Sequence, residues 1–67
     1  MLTAGGLRKV LRKRECVEVS QRGSHLKIRC GECLSIVPVH RGDLGTGLLR
    51  SIERDFEACL GKGWLRR

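Results

Sequence analysis

Apolar residues recur at helical spacing near the N-terminus of the chain. Leu7, Val10 and Leu11 stand three and four positions apart, and basic residues occupy most positions around them. Apolar residues at this spacing form one face of an α-helix. Thr3 precedes the segment as a candidate N-cap, because its hydroxyl oxygen accepts a hydrogen bond from a free backbone N–H. The pattern therefore predicts a helix over residues 4–14.

Three short segments of alternating apolar and polar residues follow, over residues 16–20, 25–30 and 34–39. Turn-forming residues separate them, as in an antiparallel meander. A two-residue turn at Gly31-Glu32 places Cys30 opposite Cys33, and a tight turn at Arg22-Gly23 places Val19 opposite Leu26. These registers predict one core-facing side of the sheet, made of Val17, Val19, Leu26, Ile28, Cys30, Cys33, Val37 and Val39.

The opposite side of this sheet is predicted to face solvent. In the same register Glu18 lies across from Lys27, as a favourable ion pair, and Ser20 lies across from His25. The residues predicted on this side are Glu18, Ser20, His25, Lys27, Arg29, Leu34, Ile36 and Pro38.

A second helix is predicted after the strands, with Thr46 as its cap and Gly61 or Gly63 at its end. Its apolar positions recur at helical spacing: Leu48, Leu49, Ile52, Phe56, Cys59 and Leu60. The order α-β-β-β-α predicts an α+β two-layer domain, a three-stranded antiparallel sheet with both helices on one face. We expect residues 1–67 to form this single domain, with a flexible basic tail over residues 61–67.

Composition narrows the function classes. The 67 residues hold 14 Lys and Arg against 7 Asp and Glu, a net charge of +7. Such a balance favours a polyanionic partner, and a chain this short has no room for a deep active-site cavity. No apolar run approaches the roughly 18 residues that span a bilayer. We therefore expect no membrane partner and a cytoplasmic location.

The four cysteines are expected to be reduced thiols, since the N-terminal residues do not form an export signal. Cys30 and Cys33 have zinc-knuckle spacing, but zinc needs four ligands. Cys16 is predicted to point to the other face, and Cys59 to lie on a distant helix. We expect no metal and no cofactor. An alternative interpretation of the whole sequence is a small zinc-stabilised, ribosome-associated protein.

His25 is the most distinctive polar residue, because it begins the central strand on a basic face. An imidazole can remove a proton from a ribose 2′-OH while nearby Arg and Lys side chains stabilise charge on the phosphate. Ser20 is a candidate to orient the ring, and His40 is a candidate general acid. A solvated surface histidine is the alternative interpretation of His25.

Several motifs resemble one known family when they are taken in order. They are Arg22-Gly23-Ser24-His25 before a strand, then Val37-Pro38-Val39-His40-Arg41-Gly42, then Gly45-Thr46-Gly47 leading into Leu48-Leu49-Arg50-Ser51-Ile52. The order is similar to that of the HicA family of mRNA interferase toxins, over roughly residues 7–56. The chain departs from the family at Glu15-Cys16, where a glycine and an aromatic residue are usual between the first helix and the first strand, and in a longer second helix.

This resemblance implies a double-stranded-RNA-binding-domain-like fold and a metal-independent endoribonuclease that acts on mRNA. It also implies a catalytic histidine that maps onto His25 and inhibition by a HicB-type antitoxin. The candidate RNA contacts, by face and proximity, are Arg22, Ser24, Lys27 and Arg29. An exposed apolar group beside them, Leu34, Ile36 and Pro38, is the candidate antitoxin interface. The alternative function is a non-catalytic RNA-binding module on the same fold.

Overall fold

The first helix forms as its pattern predicts. In the computed structural model, which describes residues 2–39 and 42–66 without the Arg66 side chain, α1 spans Ala4–Lys13. Thr3 is its N-cap, and the Thr3 hydroxyl accepts a hydrogen bond of 3.1 Å from the Gly6 N–H. Leu7 and Leu11 are buried, so the apolar face of α1 packs into the core.

The three strands form one antiparallel sheet in the order β1-β2-β3. Their bounds are Val17–Arg22 for β1, His25–Cys30 for β2 and Cys33–Pro38 for β3. Two further helices follow, α2 at Thr46–Asp55 and α3 at Glu57–Leu60, before a 3-10 turn at Trp64–Arg66. This architecture confirms the predicted α+β fold with a three-stranded antiparallel sheet.

The β2-β3 hairpin has the predicted register. Cys30 pairs with Cys33, Ile28 with Ser35 and Leu26 with Val37. Gly31 takes a φ of +61°, which suits glycine at the first position of a tight two-residue turn. The core-facing side of this hairpin is therefore the predicted one, with Ser35 added to it at 5% exposure.

The predicted β1-β2 register is wrong. The turn is Gly23-Ser24 rather than Arg22-Gly23, because Gly23, at a φ of +60°, occupies the first turn position. Arg22 consequently pairs with His25, and Ser20 pairs with Lys27 instead of His25. A β-bulge between Glu18 and Ser20 shifts the register again, so Glu18 pairs with Ile28.

Two predicted core residues lie outside the core for this reason. Val17 pairs with Arg29 and is 50% exposed, and Val19 lies in the bulge and is 48% exposed. Directly opposite residues share a face of a sheet, so Glu18 lies on the helix side with Ile28. The predicted ion pair between Glu18 and Lys27 is therefore also wrong.

The C-terminal part of the chain completes the core. Trp64 is fully buried, and its indole Nε1–H donates a hydrogen bond of 2.8 Å to the Glu53 carbonyl. The Trp64 and Phe56 rings pack edge to face, with 5.9 Å between their centroids. Phe56 interrupts the predicted single helix, and Gly45 rather than Thr46 is the N-cap of α2. Trp64, which lies within the predicted basic tail, thus packs among the helices, away from the solvent-facing side of the sheet.

All four cysteines form disulfides, which corrects the expectation of reduced thiols. Cys16 bonds to Cys30, and Cys33 bonds to Cys59. Cys16 therefore shares the helix side of the sheet with Cys30, and Cys59 is not distant from Cys33. The expectation rested on cellular compartment alone. In the folded chain the turn at residues 30–33 lies close both to Cys16, just before β1, and to Cys59 in α3.

None of the helices in the described ranges is long and apolar enough to cross a membrane.

Candidate nucleic-acid interface

The side of the sheet away from the helices, called here the open face, consists of three cross-strand rows. Strand pairing gives these rows directly, since opposite residues share a face. They are Arg22–His25–Pro38, Ser20–Lys27–Ile36 and Val17–Arg29–Leu34. Three of the nine residues are cations and none is an acid. The open face is therefore a surface that attracts phosphate.

His25 lies at one end of the open face, at the start of the central strand. Its side chain is exposed, with Arg22 and Pro38 as its cross-strand neighbours. The backbone fixes this end of the sheet, because the Val39 N–H donates to the Ser24 carbonyl at 2.6 Å and the Gln21 side-chain amide donates to the Gly23 carbonyl at 2.9 Å. His25 is thus presented to solvent from a hydrogen-bonded hairpin end.

A shallow depression surrounds the imidazole. Its lining contains two of the predicted RNA contacts, Arg22 and Lys27, together with Ser20, Gln21, His25 and Ile36. Lys27 follows His25 by two positions on the same strand, a distance of about 7 Å along the sheet. A phosphate in the depression would therefore lie within reach of two cations and the imidazole.

The other two predicted RNA contacts lie outside this depression. Arg29 is on the open face but one row further along, between Val17 and Leu34. Ser24 is an exposed residue of the hairpin turn. The structure brings Arg22, His25 and Lys27 together and leaves Ser24 and Arg29 at the periphery. His40, the candidate general acid, lies outside the described residues.

Sequence reasoning missed Gln21 as a lining residue. Gln21 pairs with the buried Leu26, so the alternation of the strand does not predict its place in the lining of the depression. A glycine-first turn at Gly23-Ser24, which is the better match to a two-residue hairpin, would have placed Arg22 beside His25.

The acidic residue predicted on this face is held on the other side by α1. The Arg8 guanidinium donates to both Glu18 carboxylate oxygens at 2.8 Å, and Arg12 lies 3.8 Å from the same carboxylate. The hydrogen bond from Arg8 lowers the pKa of Glu18 and raises that of Arg8. Lys27 pairs with Ser20 and Ile36 instead, so it has no acid opposite it on the open face.

Apolar side chains occupy the remaining positions of the open face. Leu34 is 53% exposed and Ile36 is 49% exposed, and Pro38 is half-buried. Val17, which the sequence assigned to the core, adds an exposed apolar side chain to the same row, on the far side of Arg29 from Leu34. Ile36 belongs to both surfaces, because it also lines the depression around His25.

The zinc interpretation finds no thiolates in this structure. Each cysteine sulfur is bonded to another sulfur, and no cysteine is free. Among residues 2–39 and 42–66, no group of three or more His, Cys, Asp and Glu side chains is arranged to hold a metal ion.

The fold and the open face define a small α+β domain with a histidine on a cationic sheet surface. A protein-family model described as "HicA toxin of bacterial toxin-antitoxin" matches residues 7–58. The match covers most of the 67 residues, so the chain belongs to the HicA toxin family and is the toxin of a toxin–antitoxin system. The family is one of mRNA interferases. No curated protein and no solved structure matches the chain.

Proposed function

We propose that this toxin is an endoribonuclease that cleaves mRNA on the open face, with His25 as general base. The observation that carries the proposal is the position of His25, exposed at the hairpin end with Arg22 directly opposite and Lys27 lining the same depression. A nucleophile, a base and a charge-stabilising group must meet within hydrogen-bond reach for such a reaction. The depression supplies the base and the cations, and RNA supplies the nucleophile.

In the proposed reaction, His25 takes the proton of a ribose 2′-OH. The 2′-oxygen then attacks the adjacent phosphorus, and the bond from phosphorus to the 5′-oxygen breaks. The products are a 2′,3′-cyclic phosphate, which water can hydrolyse, and a 5′-hydroxyl end that takes its proton from solvent. A positioned base typically contributes about 10²–10⁴-fold to such a rate.

The cations have a separate role in this proposal. Arg22 can offer two parallel N–H donors to a phosphate, whereas Lys27 acts as a point charge. Negative charge grows on the non-bridging oxygens as the 2′-oxygen attacks, so donors already in place favour that transition state. Arg22 and Lys27 stand in place of a metal ion, and this is why we propose metal-independent cleavage. Arg29 and Ser24 contact the flanking nucleotides.

The apolar part of the open face is the proposed site for a HicB-type antitoxin. Contiguous apolar residues rimmed by charge are typical of protein interfaces. A partner that covered Leu34, Ile36 and Pro38, with acidic groups against Lys27 and Arg29, would also cover His25. Ile36 makes this overlap direct, because it lines the depression itself. Inhibition then follows from occlusion of the site.

The His25→Ala variant tests the catalytic role. We expect it to lose RNA cleavage while RNA binding stays close to wild type, because the cationic residues remain. Cleavage is read on gels, binding by fluorescence anisotropy, and folding by circular dichroism. A folded variant that still cleaves RNA contradicts the proposal. If wild-type protein binds RNA without cutting it, the non-catalytic module is the better description.

A further inference from the structure

The second basic surface of the molecule lies on α1. This helix carries Arg8, Lys9, Arg12 and Lys13 and no acidic residue. Glu18 neutralises Arg8. By contrast, Lys9 and Lys13 are exposed, and neither makes an ion pair within the part of the chain that the structure describes. Lys9, Arg12 and Lys13 together line a shallow surface depression. We call these three residues the α1 basic face.

This face points away from the sheet. An α-helix turns about 100° per residue, so Lys9 and Lys13, each two positions after a buried leucine, lie about 200° from Leu7 and Leu11. Those leucines pack into the core. The α1 basic face and the open face are therefore on opposite sides of the domain.

Helix stability accounts for only part of this charge. Arg12 and Lys13 stand in the last turn of α1, where cations interact favourably with the helix dipole. Lys9 stands a full turn earlier and gains little from it, since the effect falls off within the last turn. Two lysines four positions apart also repel each other. An anionic partner on the α1 basic face would offset that repulsion.

Arg12 lies where α1 approaches the β1 edge of the sheet. It lies 3.8 Å from Glu18, a residue of the edge strand β1, all of whose residues are exposed. The domain measures only 18 Å in its shortest dimension. A flexible polyanion that passes round the β1 edge can therefore touch both basic surfaces. A duplex is too stiff to follow this path, because the persistence length of double-stranded DNA is about 50 nm.

We propose that the α1 basic face binds the phosphate backbone of single-stranded RNA that continues from the open face around the β1 edge. The inference rests on the proposed function, because it extends the site at which that function places RNA. It assigns to α1 the binding of nucleotides remote from the cleaved bond. Binding of this kind is electrostatic and independent of base sequence.

The test compares two RNA lengths in the His25→Ala background, which prevents cleavage. One single strand is short enough to cover the open face alone, and the other is several times longer. Lys9→Gln/Lys13→Gln should weaken binding of the long strand and leave the short strand unchanged. Each neutralised phosphate contributes about 0.7 to the slope of log K against log salt for a single strand. Removal of the two lysines should therefore reduce the magnitude of this slope by about 1.4 for the long strand.

Arg50→Gln/Arg54→Gln is the matched control. It removes the same charge from two exposed residues of α2, where Glu53 and Asp55 lie nearby in sequence. This control should retain the wild-type slope, and thermal melts should show all variants folded. In cleavage assays with long RNA, the α1 variant should raise KM without lowering kcat, because it removes binding remote from the reacting bond.

Other results overturn the inference. Equal losses for both RNA lengths, or equal losses in the α2 control, would mean that net charge alone is responsible. Unchanged RNA binding together with weaker binding of the antitoxin would assign the α1 basic face to a protein partner. If the His25→Ala parent binds neither RNA, the proposed function itself fails, and this outcome is distinct from a failure confined to the lysine variant.

Discussion

Arg8 on the first helix clamps the carboxylate of Glu18 on the edge strand through two hydrogen bonds of 2.8 Å. The pair joins β1 to the helix layer at a place where the strand contributes no buried side chain. It also holds Glu18, the one acid of the three strands, on the helix side of the sheet. The ion pair thus supports both the position of β1 and the charge of the candidate RNA surface.

The stabilising effect of this pair should depend on pH. Because the pKa of Glu18 is lowered from its ordinary value of 4.5 in the folded protein, its contribution is fully present above that value. It is lost as pH falls through the lowered folded pKa. Glu18→Gln should therefore lower the Tm at neutral pH, with a difference that shrinks below about pH 4.5.

Glu32→Gln is the control for this experiment, since it removes the same charge from an exposed turn residue. Melting curves recorded by circular dichroism from pH 7 to pH 3 would compare the two variants. Identical pH dependence in both would show that the Arg8–Glu18 pair has no stabilising effect.

Ile36→Asp should weaken the complex with the cognate antitoxin and leave the toxin folded. The side chain is half exposed, so the new carboxylate stays hydrated in the free protein but would be buried without a partner in the complex. Calorimetric titration measures the affinity. Val19→Asp, a similarly exposed residue outside the three rows, is the control. Neutralisation of Ile36→Asp at wild-type antitoxin concentration would show that the interface lies elsewhere.

Trp64 should be a stability determinant although only Leu65, Arg66 and Arg67 follow it in the sequence. It is fully buried and donates to the Glu53 carbonyl. Trp64→Ala should cost about 3–5 kcal/mol, in the range of large-to-small substitutions at buried aromatics. Urea titration measures this loss. Lys62→Ala, at an exposed position in the same segment, is the comparison. A Trp64→Ala protein as stable as Lys62→Ala would contradict the burial of the indole.

Reduction of the disulfides should strongly destabilise the domain. The bonds close separate loops with sequence separations of 14 and 26, so their effects on the unfolded chain should add. In the chain-entropy description each contributes about 3 kcal/mol, slightly more for the longer loop. Cys33→Ser/Cys59→Ser should therefore melt between the oxidised and the fully reduced wild type. A Tm that a dithiol reductant does not change would rule out both bonds.

The sequence predicted those parts of the fold that depend on local signals. Thr3 was recognised as a cap, and the β2-β3 register followed from Gly31 at the first turn position. The β1 register depended on Gly23-Ser24 as the turn pair and on a β-bulge between Glu18 and Ser20. Val17 and Val19 alternate as a buried strand would, but the bulge between Glu18 and Ser20 places them outside the core.

Sequence spacing predicted the neighbours of His25, but it predicted neither the disulfide partners nor the burial of Trp64. Arg22 and Lys27 were predicted to lie near His25 because their positions in the hairpin limit the distance. The disulfide partners come from the loop between α1 and β1, from the sheet and from α3, and their proximity is a product of tertiary packing. Trp64 was missed for the same reason, since a single aromatic in a basic segment has no periodicity that predicts burial.

The two disulfides both attach to the β2-β3 turn, at the end of the sheet opposite His25. One end of the sheet is covalently joined to the helix layer, whereas the end with His25 is held by backbone hydrogen bonds such as that from Val39 to Ser24. Local opening should therefore cost more free energy at the disulfide end than at the His25 end. Amide hydrogens near Cys30 should exchange through global unfolding, and those beside the depression through smaller fluctuations. The toxin therefore has a covalently linked end that supports its stability and a more mobile end that carries the proposed RNA and antitoxin sites.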